Sequence, residues 1–214
     1  MLDTEKLKDY YDREALTRNG RGIAEWKQIE RDRFAASLPE NAQRMLEVGS
    51  GPGRDAAFFE SSKRMEVTCL DFSVGMVAQC KNKNLEAHVC DFTMLPLDFP
   101  VECHYDAIYA MNSILHVPKE TLNALLQELA RLLIPGGLFY VGTYGGEDFE
   151  GPWEYDPSGE KRFFSYHSDE ALKQALQGSG LFDITYFGTL IPPCARGHES
   201  SIYFQSVILS RKPP

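Results

Sequence analysis

Polar and acidic residues stand at the ends of four apolar stretches in this chain: Glu47, Asp71, Asp91, and Asn112, Ser113 and His116. After Glu47 the sequence runs Val48-Gly49-Ser50-Gly51-Pro52-Gly53-Arg54-Asp55. Glycines at this spacing let the backbone turn sharply off a strand and approach a ligand closely. The pattern is G-x-G-x-G behind an acid. The dinucleotide-binding G-x-G-x-x-G would need a glycine where Arg54 stands. A pyrophosphate needs backbone N–H donors and no nearby negative charge. Glu47 would repel it, and Pro52 removes one N–H from the loop, whereas Glu47 suits an ammonium group. Glu47 otherwise reads as a strand-end acid that caps the loop. Asp71 can accept hydrogen bonds from both hydroxyls of a ribose, or serve the start of the helix after it. His116 can take a proton or orient a substrate, with Asn112 beside it; these two are the candidate catalytic side chains. The alternative for His116 is a histidine that ties its loop to the next helix.

Such residues need elements that bring them together. From residue 44 strand and helix patterns alternate. Arg44–Val48, Glu66–Asp71, Glu86–Cys90, Tyr105–Ala110 and Leu138–Gly142 are predicted strands. Helices are expected over Asp55–Ser62, over Ser73–Lys83 with Ser73 as N-cap, and from Pro118 or Lys119 to a stop at Pro135-Gly136-Gly137. The long helix has Leu122, Leu125, Leu126, Leu129 and Leu132 on its apolar side. This alternation predicts a Rossmann-like α/β fold, a mostly parallel sheet with helices on both faces. After a helix near Asp169–Gln177, Phe182–Ile191 and Ile202–Leu209 have no helix between them, so they close as an antiparallel terminal hairpin. That makes seven strands. Residues 1–38 read as an N-terminal helical cap, with Leu2, Leu7, Tyr10, Tyr11 and Leu16, then Ile23, Trp26, Ile29, Phe34 and Leu38, on its apolar faces. Residues 39–214 form the main domain.

The formal charge of −9 speaks against nucleic acid and anionic membrane as partners, since both need a basic face. No apolar stretch approaches membrane-spanning length, and no signal peptide is visible. Cys69, Cys80, Cys90, Cys103 and Cys194 are odd in number and lack a CxxC spacing, which reads as free thiols in a reducing cytoplasm. His198 with His167 or Cys194 lacks metal-ligand spacing, so no metal is expected. No feature of the sequence sets an oligomeric state.

The ordered set of motifs resembles the class I S-adenosylmethionine-dependent methyltransferases, over roughly residues 40–210. Leu46–Gly53 is similar to the family's first motif and Leu70–Met76 to its second. Cys90-Asp91-Phe92 is similar to the adenine-side motif, and Tyr105–His116 with Leu133–Gly137 to the last two. The resemblance implies S-adenosylmethionine as cofactor and S-adenosylhomocysteine as product. It implies a cofactor site built from Gly49, Ser50 and Gly51 of the loop, Glu47 toward the ammonium, and Asp71 toward the ribose. Asp91 would accept from the adenine amino group, the Phe92 N–H would meet the ring, Phe72 and Met76 would pack nearby, and Met111 would lie beside the methionine portion. Tyr11 would close over the site from the cap.

Methyltransferases that act on bases or glutamine amides often carry an Asn/Asp-Pro-Pro-Tyr/Phe run at the fourth strand end. Here Met111-Asn112-Ser113-Ile114 stands in its place, which points to a small-molecule acceptor. Residues 143–168 are long and aromatic for a connection and read as a substrate lid or wall, with Lys161 and Arg162 facing an acidic substrate; the alternative is a hairpin packed on the core. The loop Cys194–His198 is a second rim candidate. Two other functions compete: a non-catalytic cofactor-binding sensor or partner domain, and an NAD-dependent oxidoreductase.

Overall fold

The computed structural model describes residues 3–99, 104–192 and 202–213. Cys103 and the Cys194–His198 loop lie outside them, as does Leu2. In chain order the elements are α1 (Thr4–Gly20), α2 (Glu25–Ser37), β1 (Arg44–Val48), α3 (Arg54–Lys63), β2 (Glu66–Asp71), α4 (Val74–Lys81), β3 (Glu86–Val89) and β4 (Tyr105–Met111). There follow α5 (Lys119–Leu132), β5 (Leu133–Gly145), β6 (Phe149–Pro152), β7 (Phe163–Tyr166), α6 (Asp169–Gly178), β8 (Phe182–Leu190) and β9 (Tyr203–Arg211). Seven strands form one sheet in the order β3-β2-β1-β4-β5-β9-β8. The first five are parallel, and β9 runs antiparallel to both its neighbours. The terminal hairpin therefore inserts its second strand beside β5 and leaves β8 at the edge. β6 and β7 pair as a separate two-stranded hairpin between β5 and α6.

The period-two side-chain alternation of the strands divides the core. On one face Leu46, Val48, Leu70 and Ile108 meet Leu122, Leu125, Leu126 and Leu129 of α5. On the other, Met45, Val67, Ala107, Tyr109 and Tyr140 meet Phe34 of α2, Phe59 of α3 and Val77 of α4. Phe34 is fully buried, with its ring centroid 5.4 Å from that of Tyr140. α2 is thus a layer of the sheet core. α1 is different: it is polar along most of its length and packs chiefly on α4.

Three local expectations are corrected. Leu16 and Ile29 are exposed, because α1 turns Leu7, Tyr10 and Ala15 inward and α2 turns Phe34 and Ala35 inward. α5 ends at Leu132, and Pro135-Gly136-Gly137 belong to the start of β5, where Leu133 already pairs with Tyr105 across an irregular register. Gly136 takes the positive φ of 78° that this bulge requires. Among the described residues no helix is long and apolar enough to cross a membrane.

Candidate active site

β1 ends in the glycine loop, which folds back on β2. The Gly49 and Ser50 N–H groups donate to the Leu70 carbonyl at 2.7 and 2.9 Å. Gly49 has φ of +71°, and a Cβ there would stand 2.2 Å from the Ser113 Cβ, so the β1 and β4 loop ends touch. Asp71, at the end of β2, accepts the Gly51 N–H at 2.8 Å with one oxygen and the Ser73 N–H at 2.9 Å with the other. Burial pushes its pKa up to about 6, against the stabilising pull of those two bonds. Ser73 caps α4, as expected, accepting from the Met76 N–H at 3.0 Å. Arg54, in place of the last glycine, donates to the Arg21 and Gly22 carbonyls at 2.8 and 3.3 Å and so ties the loop to the α1–α2 connection.

Glu47 is buried beneath this loop. Among the described residues its Oε2 has no hydrogen-bond partner, while the Ala56 N–H of α3 favours its ionised form. Burial first, then repulsion from Asp55, raises its pKa well above the usual range. Asp55 itself pairs with the buried Arg31 of α2 at 3.2 Å.

α1 lies across the mouth of the cleft, held by a polar strip. Asp12 accepts from the Ser73 hydroxyl at 2.5 Å and from the Gly75 N–H at 2.8 Å. Gly75 admits this approach because a Cβ there would stand 3.0 Å from that of Ala15. Lys83 donates to Asn19 at 2.5 Å and to the Pro52 carbonyl at 2.7 Å, and Lys8 pairs with Asp91 at 3.5 Å. Tyr11 and Arg18, two helical turns apart, therefore share a face of α1.

His116 closes a single 3₁₀ turn, Ile114–His116, beyond β4 and is 5% exposed. Its Nδ1 lies 2.8 Å from the Phe163 carbonyl, an acceptor only, so Nδ1 carries the proton. Nε2 then accepts from the Tyr11 hydroxyl at 2.7 Å. The same hydroxyl accepts from Arg162 Nη1 at 3.0 Å. Arg162 holds Asp156 through its Nε at 2.8 Å and its Nη2 at 2.7 Å. Burial drives the His116 pKa down to about 3, so the imidazole is neutral. The chain Asp156–Arg162–Tyr11–His116–Phe163 thus joins α1, the β4 loop and the β6–β7 hairpin. Arg162 is occupied by Asp156 and Lys161 pairs with Glu154 at 2.6 Å, which redirects both from the expected acidic substrate.

The other expected residues fall around the same cleft. Asn112 has φ of 56°, donates its N–H to the Gly142 carbonyl at 2.7 Å, and has an unpartnered Oδ1. Phe72 is 5.6 Å from Tyr11 and 6.3 Å from Phe92, centroid to centroid. Met76 is fully buried and Met111 half-buried. Asp91 accepts from the Thr93 N–H and hydroxyl at 3.0 and 2.6 Å, which turns the chain after β3. The aromatics of residues 143–168 form a small cluster in which Phe164 and Tyr166 join Leu115, Trp153 and Phe149 beside His116. A cavity of about 200 Å³ lies between α1 and the hairpin, lined by Lys6, Leu7, Tyr10, Pro152, Arg162 and Phe163. Among the described residues no group of three His, Cys, Asp or Glu could hold a metal ion.

Among the described residues, Arg18 Nε, Glu47 Oε2, Asn112 Oδ1 and Ser113 Oγ lie buried without hydrogen-bond partners around the glycine loop and the β4 end. Unpaired buried polar groups are costly, so such a cluster marks a place completed by a ligand. One cation, one carboxyl and two neutral hydrogen-bonding groups fit the zwitterionic amino-acid end of S-adenosylmethionine. Asp12, Arg18 and Asp156 carry no motif in the sequence; their roles arise from contacts between distant segments.

A methyltransferase-domain family model matches residues 45–137. Phosphatidylethanolamine N-methyltransferase of Cereibacter sphaeroides is 31% identical over 153 residues, covering 67% of this chain and 72% of that protein. 27-O-demethylrifamycin SV methyltransferase of Amycolatopsis mediterranei is 28% identical over 120 residues, 53% of this chain; the match spans only 43% of that longer protein. In fold, the chain is similar to an S-adenosylmethionine-dependent methyltransferase from Mesorhizobium loti, with a TM-score of 0.70 at 20% identity over 89% of this chain and 99% of that one. With the motif order along the sheet, these likenesses show that the chain belongs to the class I S-adenosylmethionine-dependent methyltransferase family.

Proposed function

We propose that this chain transfers a methyl group from S-adenosylmethionine to an oxygen or nitrogen of a small molecule and releases S-adenosylhomocysteine. The observation that carries the reading is the neutral His116, fixed at Nδ1 and joined to Tyr11 at 2.7 Å, beside a glycine loop ringed by unpartnered polar atoms. The relatives are named for an amine and a hydroxyl acceptor, which supports both atoms. The formal charge of −9 supports a small molecule over a nucleic acid, and free buried cysteines support a cytoplasmic location.

When bound, the cofactor supplies a methyl group already activated on a sulfonium. The protein's task is then alignment and proton handling. Gly49, Ser50 and Gly51 shape the loop, Glu47 receives the ammonium, and Asp71 receives the ribose hydroxyls with lone pairs left over from its backbone bonds. Asp91 and the Phe92 N–H meet the adenine, with Phe72, Met76 and Met111 packing around it and the methionine portion. Within residues 1–38, α1 caps the cleft while α2 belongs to the core of the domain, and residues 143–168 form its substrate wall and lid. Asn112 orients the acceptor through its free carbonyl. Tyr11 closes the cleft, and the proton that the acceptor loses passes to the Tyr11 hydroxyl as that hydroxyl hands its own proton to His116 Nε2.

Transfer of labelled methyl from S-adenosylmethionine to a panel of amines, phenols and alcohols tests this. His116→Ala should lower kcat by about 10²–10⁴-fold, the range for general-base catalysis, and leave S-adenosylhomocysteine affinity within about threefold. Undiminished turnover would remove His116 from the chemistry. Binding of the product without transfer to any acceptor class would refute the enzymatic reading.

A further inference from the structure

Arg162 is held from several sides. Its Nε and Nη2 donate to the two oxygens of Asp156 at 2.8 and 2.7 Å, the two-pronged fit of a planar guanidinium on a carboxylate. Asp156 is buried and also accepts the Ser158 and Arg162 N–H groups at 3.0 and 2.9 Å, so its carboxylate is fixed in turn. The guanidinium centre lies 4.6 Å from the Tyr10 ring centroid and 5.1 Å from that of Phe164. Nη1 is left, and it donates to the Tyr11 hydroxyl at 3.0 Å. The charged and titratable groups that face Tyr11 are Arg18 and Tyr10 of its own helix, Arg162 and Tyr166 of the hairpin, and His116 of the β4 loop. Asp12, next in sequence, is turned to Ser73 and Gly75. Arg18 lies 4.7 Å from the ring centroid, whereas Arg162 is bonded to the oxygen itself. Burial raises the Tyr11 pKa, and the charge and hydrogen bond of Arg162 pull it back down.

We propose that Arg162 is a positioning residue for methyl transfer, acting through Tyr11: it stabilises the negative charge that builds on the phenol oxygen during the proton relay, and Asp156 fixes the guanidinium in that pose. The inference rests on the reading of Tyr11 and His116 as the path of the acceptor's proton. In the relay the acceptor's electron pair forms the bond to the methyl carbon, and the methyl–sulfur pair stays on sulfur. The acceptor's proton goes to the Tyr11 oxygen, the Tyr11 proton goes to His116 Nε2, and the imidazole ends as imidazolium. Midway, the Tyr11 oxygen has given up one proton before gaining the other. A cation 3.0 Å away favours that charge, while the imidazolium lies one hydrogen bond further from it. Without Arg162, an imidazole with a pKa of about 3 would have to draw a proton from an unassisted buried phenol. A neutral staple between α1 and the hairpin would join the same segments but would not supply this charge.

The test reads Tyr11 directly. The full chain carrying difluorotyrosine at position 11 reports ionisation of that phenol by fluorine NMR, with no turnover needed. Arg162→Met should move the titration up by roughly 1–3 pH units, the range for loss of a neighbouring opposite charge. In the unlabelled chain it should lower kcat by roughly 10- to 100-fold, a part of the worth of proton transfer, with S-adenosylhomocysteine affinity within about threefold. Arg162→Lys should recover part of both effects. Arg162→Gln keeps a neutral donor near Tyr11 and should shift the titration too; it carries the same test if melting curves show Arg162→Met to be unfolded. An unmoved titration in folded variants would overturn the proposal and make Arg162 a staple, whatever happens to kcat. So would a shifted titration with kcat unchanged. A wild type that binds S-adenosylhomocysteine but methylates no acceptor would overturn the reading of the site and this proposal with it; an active wild type with an unmoved titration overturns the proposal alone.

Discussion

Replacing Tyr11 by phenylalanine removes one oxygen and strands two partners. His116 Nε2 loses the hydroxyl that donates to it at 2.7 Å, and Arg162 Nη1 loses its acceptor at 3.0 Å. Arg162 keeps its bonds to Asp156, and the ring contacts with Phe72 and Tyr10 survive. The stranded imidazole nitrogen dominates the cost, because His116 is 5% exposed and water does not readily replace the phenol. A lost hydrogen bond contributes about 1 kcal/mol net, and an unsatisfied buried acceptor costs about 1–3 kcal/mol more, so the variant should lose about 2–4 kcal/mol. For a chain of this size that is a fall in Tm of roughly 4–16 °C. If the hydroxyl also relays the acceptor's proton, kcat should fall by about 10²–10⁴-fold with S-adenosylhomocysteine affinity little changed. Calorimetric melting, product-affinity titration and methyl-transfer kinetics separate these effects. A double-mutant cycle with His116→Asn, which retains a donor for the Phe163 carbonyl, should return an interaction energy of about 0.5–3 kcal/mol. A Tm within a degree of wild type together with kcat within a factor of about two would refute the pairing as a structural and functional unit.

His116 has a folded pKa of about 3 against an ordinary 6.5, so the stability held by its neutral form is present above about 6.5 and is lost as pH falls toward 3. The stability difference between wild type and the non-titrating His116→Asn should shrink over that window in urea titrations; a constant difference would show that His116 is not buried neutral. Asp71, pushed up to about 6, should ionise through that pH, and S-adenosylhomocysteine affinity should rise with it. Affinity that stays flat from about pH 5 to 7.5 in an Asp71-intact protein contradicts the ribose role. Gly49→Ala would place a Cβ 2.2 Å from Ser113 at φ of +71°, so it should abolish product binding; adding Ser113→Gly should restore binding in part, because it relieves the clash and leaves the backbone cost of roughly 1 kcal/mol. Arg31→Met leaves Asp55 buried beside Glu47 without its cation and should lower stability by about 3–5 kcal/mol in denaturant titration.

Much of the fold was legible because strand alternation and helix caps are local. β1 and β2 have the bounds that their apolar patterns predict, Ser73 caps α4, and two strand-like runs with no helical pattern in the sequence between them predict the antiparallel pair that β8 and β9 form. Boundaries failed where a tertiary contact outweighed a local preference. Pro135-Gly136-Gly137 reads as a helix stop, yet Leu133 pairs with Tyr105 and draws the segment into β5. Leu16 reads as core by its type, yet the polar clamp of Asp12 and Asn19 on α4 sets the rotation of α1 and turns Leu16 outward.

The cleft divides the same way. Glu47, the glycine loop, Asp71 and His116 announce themselves because each stands at a strand end, and a parallel sheet gathers its strand ends at one edge whatever surrounds them. The sequence by itself therefore determined the fold class, the kind of cofactor and the edge of the sheet where it belongs. Only the tertiary structure decided that Tyr11 reaches His116 across 105 residues, that Asp156 holds Arg162, and that Arg18 lies over the Tyr11 ring. Periodicity reports which face of a helix is buried; which distant segment covers that face is settled by packing, and for these residues the packing of α1 assigns the partners.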